Sequence, residues 1–246
     1  MNLKKASIFI SFIFMSYSLA ACDNQINQPL IIEDNATINS RTETAQDLIK
    51  KFADSYSQVK DFTGIVTMAD SKNGNPSDAV VGDSKISFKK ERNERLEITK
   101  SSDTSKVGTI VAYKGGDKVQ VLLAKPIPIL GKKFNLSIND KRIATSRGYA
   151  FDQLDITAML NRFNKAGVQL DIVSRSNLNG LNMVKISGKG TFKGIDSEVT
   201  EEVLTLDTAT MLPVQDDVMV KDKTVLKISL SDLKLNVGLK DDLFNL

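Results

Sequence analysis

The sequence predicts a mainly β, α+β fold: a curved antiparallel sheet or unclosed β-barrel with two or so helices packed on its concave side. Three observations predict it. Short runs of alternating apolar and polar residues recur from Phe62 to Val237, separated by Gly, Asn, Asp and Pro turns. Two segments, 41–59 and 155–165, carry apolar residues at helical spacing instead. The apolar phase of the last strand, Leu226, Ile228 and Leu230, slips by one residue at Ser231-Asp232 and resumes at Leu233, Leu235 and Val237. Such a slip marks a β-bulge, which lets a sheet curl.

The chain opens with Lys4 and Lys5, an apolar run from Ile8 to Leu19, and the small-residue site Ala20-Ala21 before Cys22, the only cysteine. This order reads as an export signal over residues 1–21, and its apolar run is short for a membrane span. Leu19-Ala20-Ala21-Cys22 resembles the lipobox of bacterial lipoproteins. The resemblance implies cleavage before Cys22 and lipidation there, palmitate included. A signal peptide with an incidental cysteine and an uncleaved anchor are the other readings. Two or more acyl chains anchor a protein stably to a membrane. Residues 22–40, rich in Asn, Gln, Asp and Thr, read as a lipidated flexible tether. Asp23 resembles the inner-membrane retention signal of enteric-type lipoproteins, which favours the inner membrane slightly over the outer, facing the periplasm.

Residues 41–246 read as a single β domain. Its first helix spans about 41–59, with Ser40 and Glu43 at capping-box spacing and Ala45, Leu48, Ile49, Phe52, Tyr56 and Val59 on one face. That stripe suits packing against a sheet; the other reading is a helix lying on lipid. Strands follow at 62–68, 85–89, 95–99, 107–113 and 118–124, the last two joined by Gly115-Gly116, which suits a tight hairpin. Lys125-Pro126-Ile127-Pro128-Ile129-Leu130-Gly131 then reads as a loop or an edge, because two prolines forbid a central strand. Its aliphatic residues either fold back on the core or form an exposed apolar loop for a membrane, an acyl chain or a partner. A second helix covers 155–165, capped by Asp155, with Ile156, Met159, Leu160 and Phe163 on its apolar face and Gly167 at its end. Strands resume at 168–174, 182–188, 198–207 and 214–221. Phe244 suits closure of the core.

Composition removes whole classes of chemistry. There is no His, no Trp, and no thiol besides Cys22. Ser-His-Asp and Cys-His catalysis, disulfides and the usual zinc sites are therefore excluded. The formal charge is +3, and residues 1–21 hold two lysines and no acids, which leaves 31 basic and 30 acidic residues after cleavage. That balance points away from nucleic acid. The adjacent acids Glu201-Glu202, Asp216-Asp217 and Asp241-Asp242 raise the reading of a carboxylate hydrolase. Neighbours on a strand point to opposite faces, so these pairs read as solvated faces or turns, and the chain reads as no enzyme, with no cofactor and no metal site.

The order of an amphipathic helix, a first strand containing Gly64, a charged strand with Arg95-Leu96-Glu97, the turn Asp207…Thr210…Leu212-Pro213 and the ending Leu233…Asn236…Leu239…Phe244 resembles the periplasmic lipoprotein-carrier superfamily, which includes LolA, LolB and RseB/MucB. The resemblance implies an unclosed antiparallel barrel whose helices line an apolar cavity for acyl chains. It implies a lipid-anchored envelope protein that binds acyl chains, a lipoprotein or another amphiphile, with Ile127, Ile129 and Leu130 at the rim and Met159, Leu160 and Phe163 on the plug helix. The alternative it leaves open is a non-enzymatic envelope stress sensor that binds a membrane-protein partner.

Overall fold

The computed structural model describes residues 43–127, 131–178 and 181–246. The expected signal peptide, Cys22, the tether, and Ile129 and Leu130 lie outside the described residues.

Helix α1 (Ala45–Gln58) starts at Thr44, whose Oγ1 accepts from Asp47 N at 3.1 Å while Asp47 Oδ2 accepts from Thr44 N at 3.0 Å. The capping box thus lies four residues after the expected Ser40 and Glu43. Glu43 instead pairs with Lys51 and Arg175. The predicted apolar stripe is buried, Phe52 completely, and packs on the sheet rather than on lipid.

The described residues form one eleven-stranded antiparallel sheet: β1 (Asp61–Asp70), β2 (Val80–Lys89), β3 (Asn93–Ser101), β4 (Ile110–Lys114), β5 (Lys118–Ile127), β6 (Gly131–Ser137), β7 (Gln169–Leu178), β8 (Leu181–Lys189), β9 (Glu201–Asp207), β10 (Pro213–Val220) and β11 (Lys223–Leu235). The spatial order is β6-β5-β4-β3-β2-β1-β11-β10-β9-β8-β7. The chain therefore starts in the middle, walks out to one edge, crosses over residues 138–168, and returns from the other edge until β11 pairs with β1. The edge strands β6 and β7 do not pair, so the barrel is unclosed. Helix α2 (Ile156–Phe163) lies in the crossover, capped as expected by Asp155, whose Oδ1 accepts from Ala158 N at 2.6 Å.

Of the two readings of the segment around the prolines, a loop or an edge, residues 125–127 take the edge. β5 continues through Lys125-Pro126 to Ile127, and β6 starts at Gly131, with Ile127 opposite Gly131. The prohibition on a central strand still holds. Ile110 at the start of β4 pairs with Leu122, so residues 123–127 run past the end of β4, where proline leaves no ladder bond unmade.

The predicted bulge is present. Thr63 pairs with Lys234 and Ile65 with Ser231, so Asp232 and Leu233 oppose Gly64 alone. Asp232 has a φ of 53°. A Cβ on Gly64 would lie 2.9 Å from both Ser231 O and Leu233 Cδ2, so the close approach requires glycine. This bulge bends the sheet at its central pair, and both helices fill the resulting concavity. Phe52 and Tyr56 of α1, Met159 and Phe163 of α2, Phe62, Phe88, Ile186 and Leu204 share one buried cluster. Phe244, in a short 3-10 turn fastened by Arg95 Nη1 donating to Leu243 O, is fully buried.

Gly64→Val forces strands β1 and β11 apart at the bulge. The expected loss is about 1–3 kcal/mol, read as a lower urea midpoint at unchanged slope.

Candidate functional site

Alternation puts one face of β1, β2, β3 and β11 toward the helices. Phe62, Val66 and Met68 on β1, Ile86 and Phe88 on β2, Leu96 on β3, and Ile228 and Leu230 on β11 make an apolar floor. The register aligns them in rows, with Phe62 opposite Phe88 and Ile86 opposite Leu96. Phe62 and Phe88 stack with ring centroids 4.9 Å apart. The roof is the start of α2 and the turn before it: Phe151, Leu154, Ile156 and Met159. Between floor and roof lies a cavity of about 80 Å³. That is small beside the roughly 300–1,000 Å³ of a typical ligand pocket.

Two ionisable side chains interrupt its apolar lining, Glu94 and Asp155. Glu91 and Arg92 in the β2–β3 turn have φ of 70° and 63°, left-handed values uncommon without glycine. The turn carries the Arg92 guanidinium to Asp155: Nε donates to Oδ2 at 2.7 Å, and Nη2 donates to the same carboxylate and to Asp152 O. Glu94 faces inward because it shares the alternation phase of Leu96. It is 4% exposed, and its carboxyl shares a hydrogen bond with that of Asp155. Burial, and then the neighbouring Asp155 charge, push its carboxyl well above the usual carboxylate range, against the pull of Arg92.

A second charged group fastens α2 to the far half of the sheet. Arg162 projects from α2 onto β9 and β10. Its Nε donates to both Glu202 oxygens at 3.1 Å, and Nη2 donates to Glu202 Oε1 at 2.5 Å and to Asp216 Oδ2 at 3.3 Å. Nη1 donates to Gln153 O, and the guanidinium carbon stands 4.7 Å from the Phe192 ring centroid. Burial alone would lower the Arg162 guanidinium, but Glu202 and Asp216 outweigh it and hold it above its ordinary value. Two acids share one cation here. Burial and the Glu202 charge push Asp216 well up, and its Oδ1 has no partner. Glu202 and Asp216 therefore correct the sequence expectation of solvated acids. Alternation rightly sends Glu201 and Glu202 to opposite faces, but the face of Glu202 and Asp216 is covered by α2. Tyr56 Oη of α1 and Thr157 Oγ1 of α2 lie 2.8 Å apart and join the helices. Burial pushes that phenol up to about 12.

Of the residues singled out from the sequence, Met159 lies in the cavity wall. Phe163 is buried over β8, where a Cβ at Gly188 would come within 2.9 Å of its ring. Leu160 is half-buried against the shared cluster. Ile127 is 42% exposed at the end of β5 and does not line the cavity. The floor residues and Glu94 were not singled out from the sequence, although an acid in phase with Leu96 was a readable signal.

Comparison with solved structures finds the same fold in an uncharacterized conserved protein from Thermus thermophilus, at 11% identity over 81% of this chain and 91% of that one, with a TM-score of 0.50. Alignments also reach lipoprotein LppX of Mycobacterium tuberculosis (12% identity, 80% and 97% of the two chains, TM-score 0.48) and a LolA superfamily protein of Nitrosomonas europaea (14%, 82% and 98%, TM-score 0.41). No protein-family model and no curated protein matches the sequence. At such identity the likeness is one of fold. The unclosed antiparallel barrel with helices on its concave side is the architecture implied by the lipoprotein-carrier resemblance.

Arg162→Met leaves Glu202 buried without its cation and is expected to destabilise the protein by about 3–5 kcal/mol, measured by urea unfolding. Asp216→Asn has the opposite character. Folded Asp216 keeps its proton at pH values where the unfolded chain has lost it, so its contribution to stability is present below about pH 4 and falls as pH rises through its folded pKa. The asparagine variant should show a smaller fall in urea midpoint between pH 5 and pH 8 than the parent.

Proposed function

We propose that this is a lipid-anchored envelope protein, tethered through Cys22 and facing the periplasm, that binds an acyl chain or acylated molecule between the sheet and α2. The observation that carries this reading is the cavity itself. Its floor is largely apolar surface on four adjacent strands, interrupted by Glu94, and its roof is a single short helix with its leading turn. Transfer of an acyl chain onto such a floor contributes roughly 25 cal/mol per Å² of apolar surface removed from water.

The cavity as described is narrow. About 80 Å³ holds only a few methylene groups, so a full chain enters when the roof lifts. Besides the Tyr56–Thr157 hydrogen bond, two kinds of contact hold the roof. Apolar contacts of Ile156 and Met159 are replaceable by the ligand's own methylenes. The Arg92–Asp155 and Arg162–Glu202 pairs set the position to which the roof returns. The binding function needs no reacting group, in keeping with a chain that lacks His.

Native mass spectrometry with lipid extraction on the full-length protein should find one acyl-containing molecule per chain. Ile86→Trp fills the hollow from its floor and should abolish uptake while far-UV circular dichroism stays unchanged. An empty parent protein that instead retains a membrane protein in stoichiometric amount would favour the sensor alternative.

A further inference from the structure

One end of the sheet differs from the rest of the surface. It carries the β1–β2, β3–β4 and β8–β9 connections, the β10–β11 turn, the end of β5 and the start of β6. Contacts join these into one rim. Ser102 N donates to Val81 O at 2.8 Å, Gly74 lies against Lys223, and Gly108 lies against Ala124. Arg147 reaches from the crossover to Lys72 O and to Asp196.

Lys72, Lys125, Lys132, Lys193, Lys221 and Lys223 are exposed on this rim, and none has an ion pair among the described residues. The acids of the same connections are fewer. Asp103 faces Lys106 at 3.8 Å, Asp196 and Glu198 bind Arg147, and only Asp78 and Asp222 are left without a cation. After residue 21 the chain holds 31 basic and 30 acidic residues, so this excess is local. Exposed aliphatic side chains stand among the lysines: Val80, Val81, Val107 and Ile195. Nucleic acid would use the charge and leave these side chains in water. The surface of an anionic bilayer uses both, because headgroups meet the ammonium groups while aliphatic tips pass between them.

The cavity points the same way. Its wall is buried at Phe62, Phe88 and Glu94, and half-buried at Met68, Ile86 and Leu96, which lie nearer this rim on the same three strands. The described chain starts toward the opposite end, where Glu43 pairs with Arg175 late in β7. Residues 23–42 can span up to about 70 Å, against ~33 Å for a strand the length of β1. A chain anchored at Cys22 can therefore turn this rim to the bilayer.

Resting on the acyl-binding reading, we propose that this lysine-ringed rim docks on the surface of an anionic bilayer and brings the half-buried side of the cavity to the lipid from which the acyl chain comes.

The chain has no Trp, so one introduced Trp reports its own surroundings. Val107→Trp puts the reporter on the rim, and Val237→Trp puts it just past β11 at the other end. Each full-length variant is anchored in phosphatidylcholine vesicles with or without phosphatidylglycerol, and a doxyl-labelled lipid is the quencher. With phosphatidylglycerol, the Val107→Trp reporter should be quenched and the Val237→Trp reporter should not. Phosphatidylcholine alone should quench neither. Lys72→Gln, Lys125→Gln and Lys223→Gln together should weaken docking about a hundredfold, because each lysine near an anionic surface contributes roughly a factor of five. Quenching of the Val107→Trp reporter should then fall to its phosphatidylcholine value. Quenching at the other end, at both ends or at neither overturns the proposal and leaves acyl binding standing. So does quenching that survives the lysine changes, or lysine changes that release a stoichiometric acidic protein and leave vesicle contact unaltered. A protein that does not stay with the vesicles overturns both the anchor and the docking surface. Rim docking by a protein that yields no acyl-containing molecule on lipid extraction overturns the acyl-binding reading and keeps the docking surface.

Discussion

The ion pair between Arg162 and Glu202 is the contact on which the arrangement of the sheet and helices depends. A guanidinium removed from water without a partner is very unfavourable, and so is a carboxylate. α2 can therefore occupy the concave face only where Arg162 meets the acids of β9 and β10. An apolar helix face alone would tolerate sliding or rotation, because burial is not directional. The fork of Arg162 on the two Glu202 oxygens, with Gln153 O as a further acceptor, fixes both position and rotation. At the other end, Arg92 holds the Asp155 cap. The helix that roofs the cavity is thus pinned at both ends by charge, while Ile156 and Met159 between them face the largely apolar floor.

Curvature of the sheet makes room for this. All strand pairs are antiparallel and most follow the chain in sequence, but the central pair joins the first strand to the last. At that pair the bulge sets two residues against Gly64. Without a concave side the two helices could not share one buried cluster with strands as far apart as β2 and β9.

The two helices are held in different ways. α1 is seated by Leu48, Ile49 and Phe52, which are buried almost completely. α2 brings a buried cation and a cap tied to a neighbouring turn. A roof held by a few directed bonds can leave and return to one position, whereas a broad apolar seat resists partial opening. The small volume of the cavity and the polar fastening of its roof are therefore compatible with a binding site that widens when it is filled.

The sequence by itself determined the local features: the period-two strands, both helical stripes, the Asp155 cap, and the bulge at Ser231-Asp232. Each leaves its mark in the spacing of residues a few positions apart, so spacing alone reveals it. Its lack of His leaves this sequence without the residues of Ser-His-Asp or Cys-His catalysis. The capping box moved to Thr44 and Asp47 because two overlapping signals of equal spacing are separated only by which turn the core accepts. Residues 131–137 became a strand because β5 was available to pair with them. Only the tertiary structure decided which face of each strand is covered. Alternation assigns Glu94, Glu202 and Asp216 to a face, but whether that face meets water or a helix depends on where α2 lands across the sheet. For that reason Met159 was within reach of sequence reasoning, while the cavity floor, the buried acids and their arginine were not.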